Sequence, residues 1–176
     1  VWLSDVIGRL AYNGLSYSTV YEGYGEQSYA VIKKDPDTGV ITLSSTYYTL
    51  LMYNKYFGNQ MVQSTSTDTF LSIWASKSTS DGKVRLMITN LNGSDVTTKV
   101  GVNNAVAKTA KIYKMTGNQS GTSLDQTTQS KINGVALSVN NVEGSLATVQ
   151  PISVAMSGNV LSYTFPAYSV TAIVVE

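Results

Sequence analysis

Whatever chemistry this chain performs, it performs without histidine or cysteine. A Ser-His-Asp triad, an imidazole base, a thiolate nucleophile, a disulfide framework and a cysteine-based zinc site are all excluded. The carboxylates that remain show no ligand pattern. Asp35 and Asp37, with Asp81 and Asp95, lack the spacing of a calcium loop, and turn formation accounts for them. No metal site is expected. Gly23-Tyr24-Gly25 is not followed by the Lys and Ser/Thr that a phosphate loop needs. Aromatic rings are the richest group left, with 12 Tyr, 3 Phe and 2 Trp. Such rings fill cores or stack on sugars. Trp74, mid-strand on one face with Phe70 and Ser72, is expected in the core, the alternative being an exposed sugar-stacking ring.

The composition narrows the field further. Only 13% of the 176 residues are charged, about half the ~25% of an average soluble domain. With 12 basic and 11 acidic residues the net charge is +1, so the chain offers no clustered positive field for nucleic acid or an anionic membrane. No apolar run approaches the ~18 residues that would span a bilayer. A polar, uncharged, Tyr-rich and β-propensive chain fits extracellular β-domains, many of them concerned with carbohydrate. The sequons Asn92-Gly93-Ser94 and Asn118-Gln119-Ser120 are compatible with secretion, and an extracellular location is expected. The chain opens at Val1 with neither methionine nor signal peptide, so its natural start is expected upstream.

Two regimes organise the chain. In the first, Leu3, Val6, Ile7 and Leu10 fall at helical spacing and Asn13-Gly14 supplies the stop. Residues 15–21 read as a strand, β-branched and aromatic. The turn Asp35-Pro36-Asp37-Thr38-Gly39 leaves room for a short hairpin between residues 29–33 and 40–42. A second helix follows, capped by Ser44 or Ser45, with Tyr47, Leu50, Leu51 and Phe57 on one face and Gly58 as its stop. The second regime, from about Gln60 to Glu176, reads as strands only. Segments 70–77, 83–90, 96–102, 107–115, 135–139, 146–154, 159–165 and 169–175 make about eight, with turns recurring at sandwich spacing. Val84, Leu86 and Ile88 alternate with Arg85, Met87 and Thr89, the pattern of a half-buried antiparallel strand. Residues 117–131 read as a surface loop. The expected fold is mainly β: an antiparallel sandwich preceded by helix, strand and helix.

The first regime resembles the end of a (β/α)8 barrel. Trp2-Leu3-Ser4-Asp5-Val6-Ile7-Gly8-Arg9-Leu10, Asn13-Gly14-Leu15, the strand ending Val20-Tyr21-Glu22, and Tyr53-Asn54-Lys55-Tyr56-Phe57-Gly58 are similar to the last strand and flanking helices of retaining-clan glycoside hydrolases. That clan holds arabinofuranosidases, xylosidases and endoglucanases. The stretch from Asp81 to Asn92 and the ending from Tyr163 to Val175 resemble the β-sandwich that follows such barrels. The resemblance implies residues 1–59 as a barrel segment and 60–176 as the sandwich, with no cofactor. It also implies that the two catalytic glutamates, at the ends of the fourth and seventh strands, lie upstream of Val1. No residue of this chain then inherits either catalytic role.

What it leaves here is substrate binding. Tyr21 stands where relatives carry a sugar-stacking Trp, Glu22 would hydrogen-bond sugar hydroxyls, and Tyr24, Glu26 and Tyr29 would extend a subsite. Trp2 is expected between barrel and sandwich. The implied partners are a polysaccharide or oligosaccharide and the N-terminal barrel portion of the same enzyme. The alternative reading is a non-catalytic carbohydrate-binding sandwich, which would leave two amphipathic helices unexplained. A surface-layer or adhesin domain fits the composition but fails on the same helices.

Overall fold

Helix α1 (Trp2–Tyr12) forms where the apolar spacing places it. Asn13 donates its N–H to the Arg9 carbonyl, and Gly14 takes the left-handed conformation at φ +78°. The computed structural model describes residues 1–26, 30–103, 108–117, 119–120, 123–124 and 130–176. Tyr29, Asn118 and most of the expected 117–131 loop lie outside the described residues. After α1 the first departure appears. Residues 15–20 form no strand, because none of the described strands lies alongside to receive their hydrogen bonds, and β-propensity alone does not hold an isolated strand.

The hairpin expected next is present, slightly displaced. β1 (Tyr24–Gly25) pairs in parallel with β2 (Ile32–Lys34), and β2 pairs antiparallel with β3 (Ile41–Leu43). Asp35 ties the connecting turn by accepting the N–H groups of Asp37 and Thr38 at 3.1 and 2.7 Å. Helix α2 (Ser45–Tyr56) is capped by Ser44, whose hydroxyl accepts the Tyr47 N–H at 3.4 Å. Its buried face is Tyr48, Thr49 and Met52, one position round from the expected one, with Tyr47, Leu51 and Phe57 at the margin. Tyr48 decides the rotation. Its hydroxyl accepts the Leu137 N–H at 2.8 Å, so the ring can be wholly buried with its polar atom satisfied.

The remaining chain builds the sandwich. In order come β4 (Gln60–Val62), β5 (Leu71–Lys77), β6 (Val84–Asn90), β7 (Val96–Gly101), β8 (Thr109–Thr116), the short pair β9 (Gln119–Ser120) and β10 (Ser123–Leu124), and β11 (Lys131–Ile132). Helix α3 (Val142–Ala147), β12 (Ile152–Ala155), β13 (Val160–Phe165) and β14 (Ser169–Val175) complete it. One antiparallel sheet runs β11-β8-β14-β6-β5-β4, with β12 also on β8; β7 and β13 form a separate two-stranded ladder. The antiparallel sandwich is thus present as read. One expected strand is not, and another is shortened. Residues 135–139 contribute only isolated bridges, Val135 to Ile132 around Asn133-Gly134 with both φ positive, and Ser138 to Asn141. The strand expected over 146–154 is reduced to β12, since Leu146 lies in α3, where Asn141 caps a helical turn by accepting the Gly144 N–H at 3.0 Å.

The large sheet is covered on both faces. Towards β7 and β13 lie Leu71, Leu86, Ile88, Ile112, Phe165 and Ile173. On the opposite face Met87, Met115, Val170 and Ala172 meet Tyr48 and Met52 of α2, together with Ile132 and Leu137. β6 is therefore buried on both sides, with Met87, Ile88, Thr89 and Asn90 all inaccessible. This corrects the half-buried reading, and the helices are the reason. Asn90 binds the sheets together: its Nδ2 donates to the carbonyls of Ser94, Phe165 and Pro166, each at 3.0 Å.

The seam between α1 and the sheet rests on Gly8. A Cβ at that position would fall inside the contact distance of the Trp74 indole. Arg9 lies 5.7 Å above the same ring and Tyr12 5.9 Å from it. One turn earlier Thr89 Oγ1 donates to Ser4 Oγ at 2.9 Å, and Tyr53 donates its hydroxyl to the Ser4 carbonyl at 2.7 Å. Desolvation pushes the Tyr53 phenol well above its ordinary pKa and keeps that donor protonated. Trp74 takes the seam position expected of Trp2, which is 72% exposed. The inward face of α1 is Ser4, Asp5 and Gly8, and Trp2 falls off it. Gly8→Val should cost about 2 kcal/mol by overpacking. It should also red-shift the emission of Trp74 while Trp2, already in water, stays unchanged, which thermal unfolding and fluorescence of single-Trp variants would check.

At the opposite end of the sheet Glu176 accepts from Lys83 at 2.6 Å and from Lys111 at 2.9 Å. Those two donors hold the Glu176 carboxyl below its ordinary 4.5, and Glu176 in turn raises Lys111 above its ordinary 10.5. The stabilisation is therefore whole between these values. It is lost as pH falls through the lowered carboxyl pKa, or rises through the elevated ammonium pKa. At pH 7, Lys111→Gln should lower the melting temperature by no more than about 2 °C, since the pair is solvent-screened. The difference from wild type should vanish below the acid limb, and a difference that persists at pH 2 would refute the assignment.

Candidate functional site

Tyr21, Glu22 and Tyr24 lie on one short segment whose backbone is anchored by hydrogen bonds. The Glu22 carbonyl accepts the Val31 N–H and the Gly23 carbonyl accepts the Ile32 N–H, both at 2.9 Å. Tyr24 then lies opposite Ile32 in the parallel ladder of β1 with β2. The Tyr21–Glu22 peptide bond is cis. The Glu22 carboxylate folds back over Gly25, where a Cβ would collide with it, so only glycine leaves it that position. Tyr21 is 77% exposed and Tyr24 56% exposed. Glu26, next in the loop, reaches Lys34 of β2 at 3.9 Å, and Tyr29 lies outside the described residues.

The position of this segment follows from hydrogen bonds. Ser4 of α1 meets Thr89, which pairs with Ser72 near the start of β5, while the Gly58 N–H after α2 donates to Ser76 Oγ near its end at 2.8 Å. Both helices therefore run along β5 in its own direction. Ser44, at the start of α2, donates both its N–H and its hydroxyl to the Val31 carbonyl. Tyr21, Glu22 and Tyr24 are thus held at the end of the molecule where the helices begin.

What the arrangement can do is bind. Two ring faces and one carboxylate acceptor on a fixed backbone suit a hydroxyl-rich ligand, which offers C–H faces to rings and O–H donors to carboxylates. Both rings lie at the surface. Among the described residues no group of three or more Asp or Glu is gathered as a metal would need.

Sequence reading missed a cleft of about 1000 Å³ between the sheets, floored by Ile73, Val84, Leu86, Val100 and Val102 with Lys77 and Lys99 lining it too. It opens at the far end of β5 and is remote from Tyr21. Among the described residues the facing ladder has two strands, which no local pattern announces.

The comparisons with known proteins agree on fold. No protein-family model matches the chain, and no curated protein matches it by sequence. Among solved structures it is similar to CelM2, a bifunctional glucanase-xylanase from a metagenome library, with TM-score 0.53 and 23% identity over 76% of this chain and 23% of that one. It is similar to the arabinose-bound MgGH51 α-L-arabinofuranosidase, with TM-score 0.58 and 18% identity over 93% of this chain and 22% of that one. The α-L-arabinofuranosidase of Thermotoga maritima matches with TM-score 0.56 and 17% identity over 84% of this chain and 31% of that one. The chain spans less than a third of the length of these structures. At these identities the likeness is one of architecture: this chain has a glycoside hydrolase-like fold.

Proposed function

We propose that this chain is the closing portion of a secreted glycoside hydrolase that acts on plant or microbial polysaccharide. Residues 1–59 form the end of its (β/α)8 barrel and residues 60–176 its supporting β-sandwich. The two carboxyl groups of a retaining mechanism come from sequence outside this chain, and the rest of the barrel is its partner. The observation that carries this reading is the surface of the first segment. Leu10, Leu15, Tyr17, Val20, Tyr21 and Tyr24 are all exposed, and residues 15–20 have a strand's composition without a strand's pairing. A segment of that kind needs neighbouring strands to take up its hydrogen bonds and cover its side chains.

In the assembled barrel, Tyr21 and Glu22 would stand at the carboxyl end of the last strand, where barrel active sites are built. Tyr21 would stack on a sugar ring and Glu22 would accept its hydroxyls. Neither touches the anomeric carbon chemistry, which belongs to the missing pair. In the full-length enzyme Tyr21→Ala should raise KM about tenfold, the equivalent of ~1.4 kcal/mol of binding. The turnover rate should change less, and Tyr21→Trp should restore binding. An unchanged KM in Tyr21→Ala would remove this residue from the site.

Residues 1–176 on their own should hydrolyse no glycoside. They should also self-associate, which size-exclusion chromatography with light scattering would detect. A monodisperse, stable monomer would speak against the barrel reading, and hydrolysis by the isolated chain would end it.

A further inference from the structure

Four places in the chain pair an asparagine or aspartate with a following glycine: Asn13-Gly14, Asp81-Gly82, Asn92-Gly93 and Asn133-Gly134. At such a pair the glycine nitrogen can close a five-membered imide on the side-chain carbonyl carbon, since no Cβ crowds its approach. How firmly the fold holds the two reacting groups decides whether it does. At Asn13 the side-chain amide donates to the Arg9 carbonyl at 2.8 Å, and the Gly14 N–H donates to the Ala11 carbonyl at 3.1 Å. Asp81 accepts from the Lys83 N–H at 3.1 Å and from Arg85 at 2.6 Å, and the Gly82 N–H donates to the Ser78 carbonyl at 2.9 Å. Asn133 is held most tightly. Its Oδ1 accepts the Lys114 N–H at 2.9 Å, and its Nδ2 donates to the carbonyls of Ile112 and Gln150 at 2.9 and 2.8 Å.

Asn92-Gly93 differs from all three. Among the described residues neither the Asn92 side chain nor the Gly93 N–H makes a hydrogen bond. Only the Asn92 main chain is engaged: its N–H donates to Asn90 Oδ1 at 2.9 Å, and its carbonyl accepts the Tyr168 N–H at 3.0 Å. Asn92 is half-buried and Gly93 exposed, in a turn that belongs to no strand, so water and base reach the pair. Packing keeps a glycine there, because a Cβ at 93 would stand 3.0 Å from the Tyr168 hydroxyl and 3.4 Å from its ring. The reactive pair is thus free while its flanks are fastened. Asn90 holds one flank, with Nδ2 donating to the carbonyls of Ser94, Phe165 and Pro166.

We infer that Asn92 is a site of spontaneous covalent modification, deamidating through a succinimide while Asn13 and Asn133 stay intact. Base removes the Gly93 amide proton, and the nitrogen attacks Asn92 Cγ. The Cγ–Nδ2 bond breaks, and Nδ2 takes up a proton and leaves as ammonia. Water then opens the imide, giving aspartate by cleavage at Cγ or isoaspartate by cleavage at the original main-chain carbonyl. One water is consumed, one ammonia is released, and nothing is oxidised or reduced. Isoaspartate adds a methylene to the main chain between residues 92 and 93. It also turns the carbonyl that accepts the Tyr168 N–H into a free carboxylate. Asn90 then no longer holds the Asn92 N–H and the Ser94 carbonyl together. Either product places a negative charge close in sequence to Asp95, whose carboxylate accepts the Ala167 N–H at 2.9 Å. The modification therefore loosens the corner where β6 is fastened to the end of β13. It stands apart from the barrel reading, so each fails separately.

The test is peptide mapping by tandem mass spectrometry of the full-length protein after incubation in warm, mildly alkaline buffer. The protein is made in a host that adds no N-linked glycan, because a glycan on Asn92 Nδ2 would retain that nitrogen. Asn92 should convert to aspartate and isoaspartate about tenfold faster than Asn13 or Asn133, whose hydrogen bonds must open first. In urea, where no fold protects them, the three rates should converge. The aged protein should melt about 3 °C lower, the shift of roughly one lost hydrogen bond in a domain of this size. Asn92→Gln, whose longer amide closes a six-membered ring only slowly, should fold normally and keep its melting temperature through the same incubation. Asn13 or Asn133 reacting as fast as Asn92 in the folded protein overturns the inference. So does an Asn92 that stays intact while the urea sample reacts. Full modification with an unchanged melting temperature overturns the link to the Asn90 corner.

Discussion

The close approach of α1 to β5 is the constraint on which the rest of this structure depends. At Gly8 the helix backbone touches the Trp74 indole with no side chain between them. That contact sets the height of α1 over the sheet, and the height lets Ser4 reach Thr89 and Tyr53 reach Ser4. The first is buried and the second partly so, and each contributes more than an exposed one and costs more if broken. The seam is not fully satisfied: the Trp74 indole N–H and Asp5 Oδ1 find no partner among the described residues. A donor and an acceptor left unpaired at one contact are the usual setting for a buried water.

The seam also explains why the sheet differs from that of a free-standing sandwich. A half-buried sheet shows water a polar face, but here Met87, Val170 and Ala172 occupy that face and are wholly buried by the helical layer. Removing residues 1–58 would expose this surface to water. The helical segment is therefore part of the sandwich's own core, whatever else it covers. Asn90 does the corresponding work on the other side, since its three donated hydrogen bonds fasten β6 to the turn before β7 and to the end of β13.

Much of this was legible in the sequence, for reasons that differ by element. The helix spacing in α1, the Ser44 cap of α2 and the alternation in β6 are local signals, and each element formed within a residue or two of its reading. The misreadings share one cause. Residues 15–20 have strand composition, but a strand is a relation between two segments, and none of the described strands pairs with them. Trp2 looked like the interface ring and Trp74 took that place, because which helix face turns inward depends on Gly8, further along the helix. The apolar run from Leu146 looked like one strand, but the Asn141 cap made its start helical and left only β12. For the site, the sequence singled out Tyr21, Glu22 and Tyr24, and the structure holds them on one anchored segment.

The two ends of the molecule differ in a way that bears on how it works. Where β5 ends, lysines and Glu176 border the inter-sheet cleft, and the surface is charged and self-paired. Where β5 begins, the helices start, and Trp2, Phe70, Tyr168, Tyr21 and Tyr24 are exposed with few charges among them. A chain of only 13% charged residues has little charge to place, and at the aromatic end part of it is tied to neighbours: Asp68 and Asp95 accept backbone N–H groups and Glu26 reaches Lys34. Exposed rings are costly unless something covers them. The need for cover differs between these residues, since Leu15, Tyr17 and Val20 lie on a stretch with no ladder of its own, whereas Phe70 and Tyr168 flank the strands of a finished sheet.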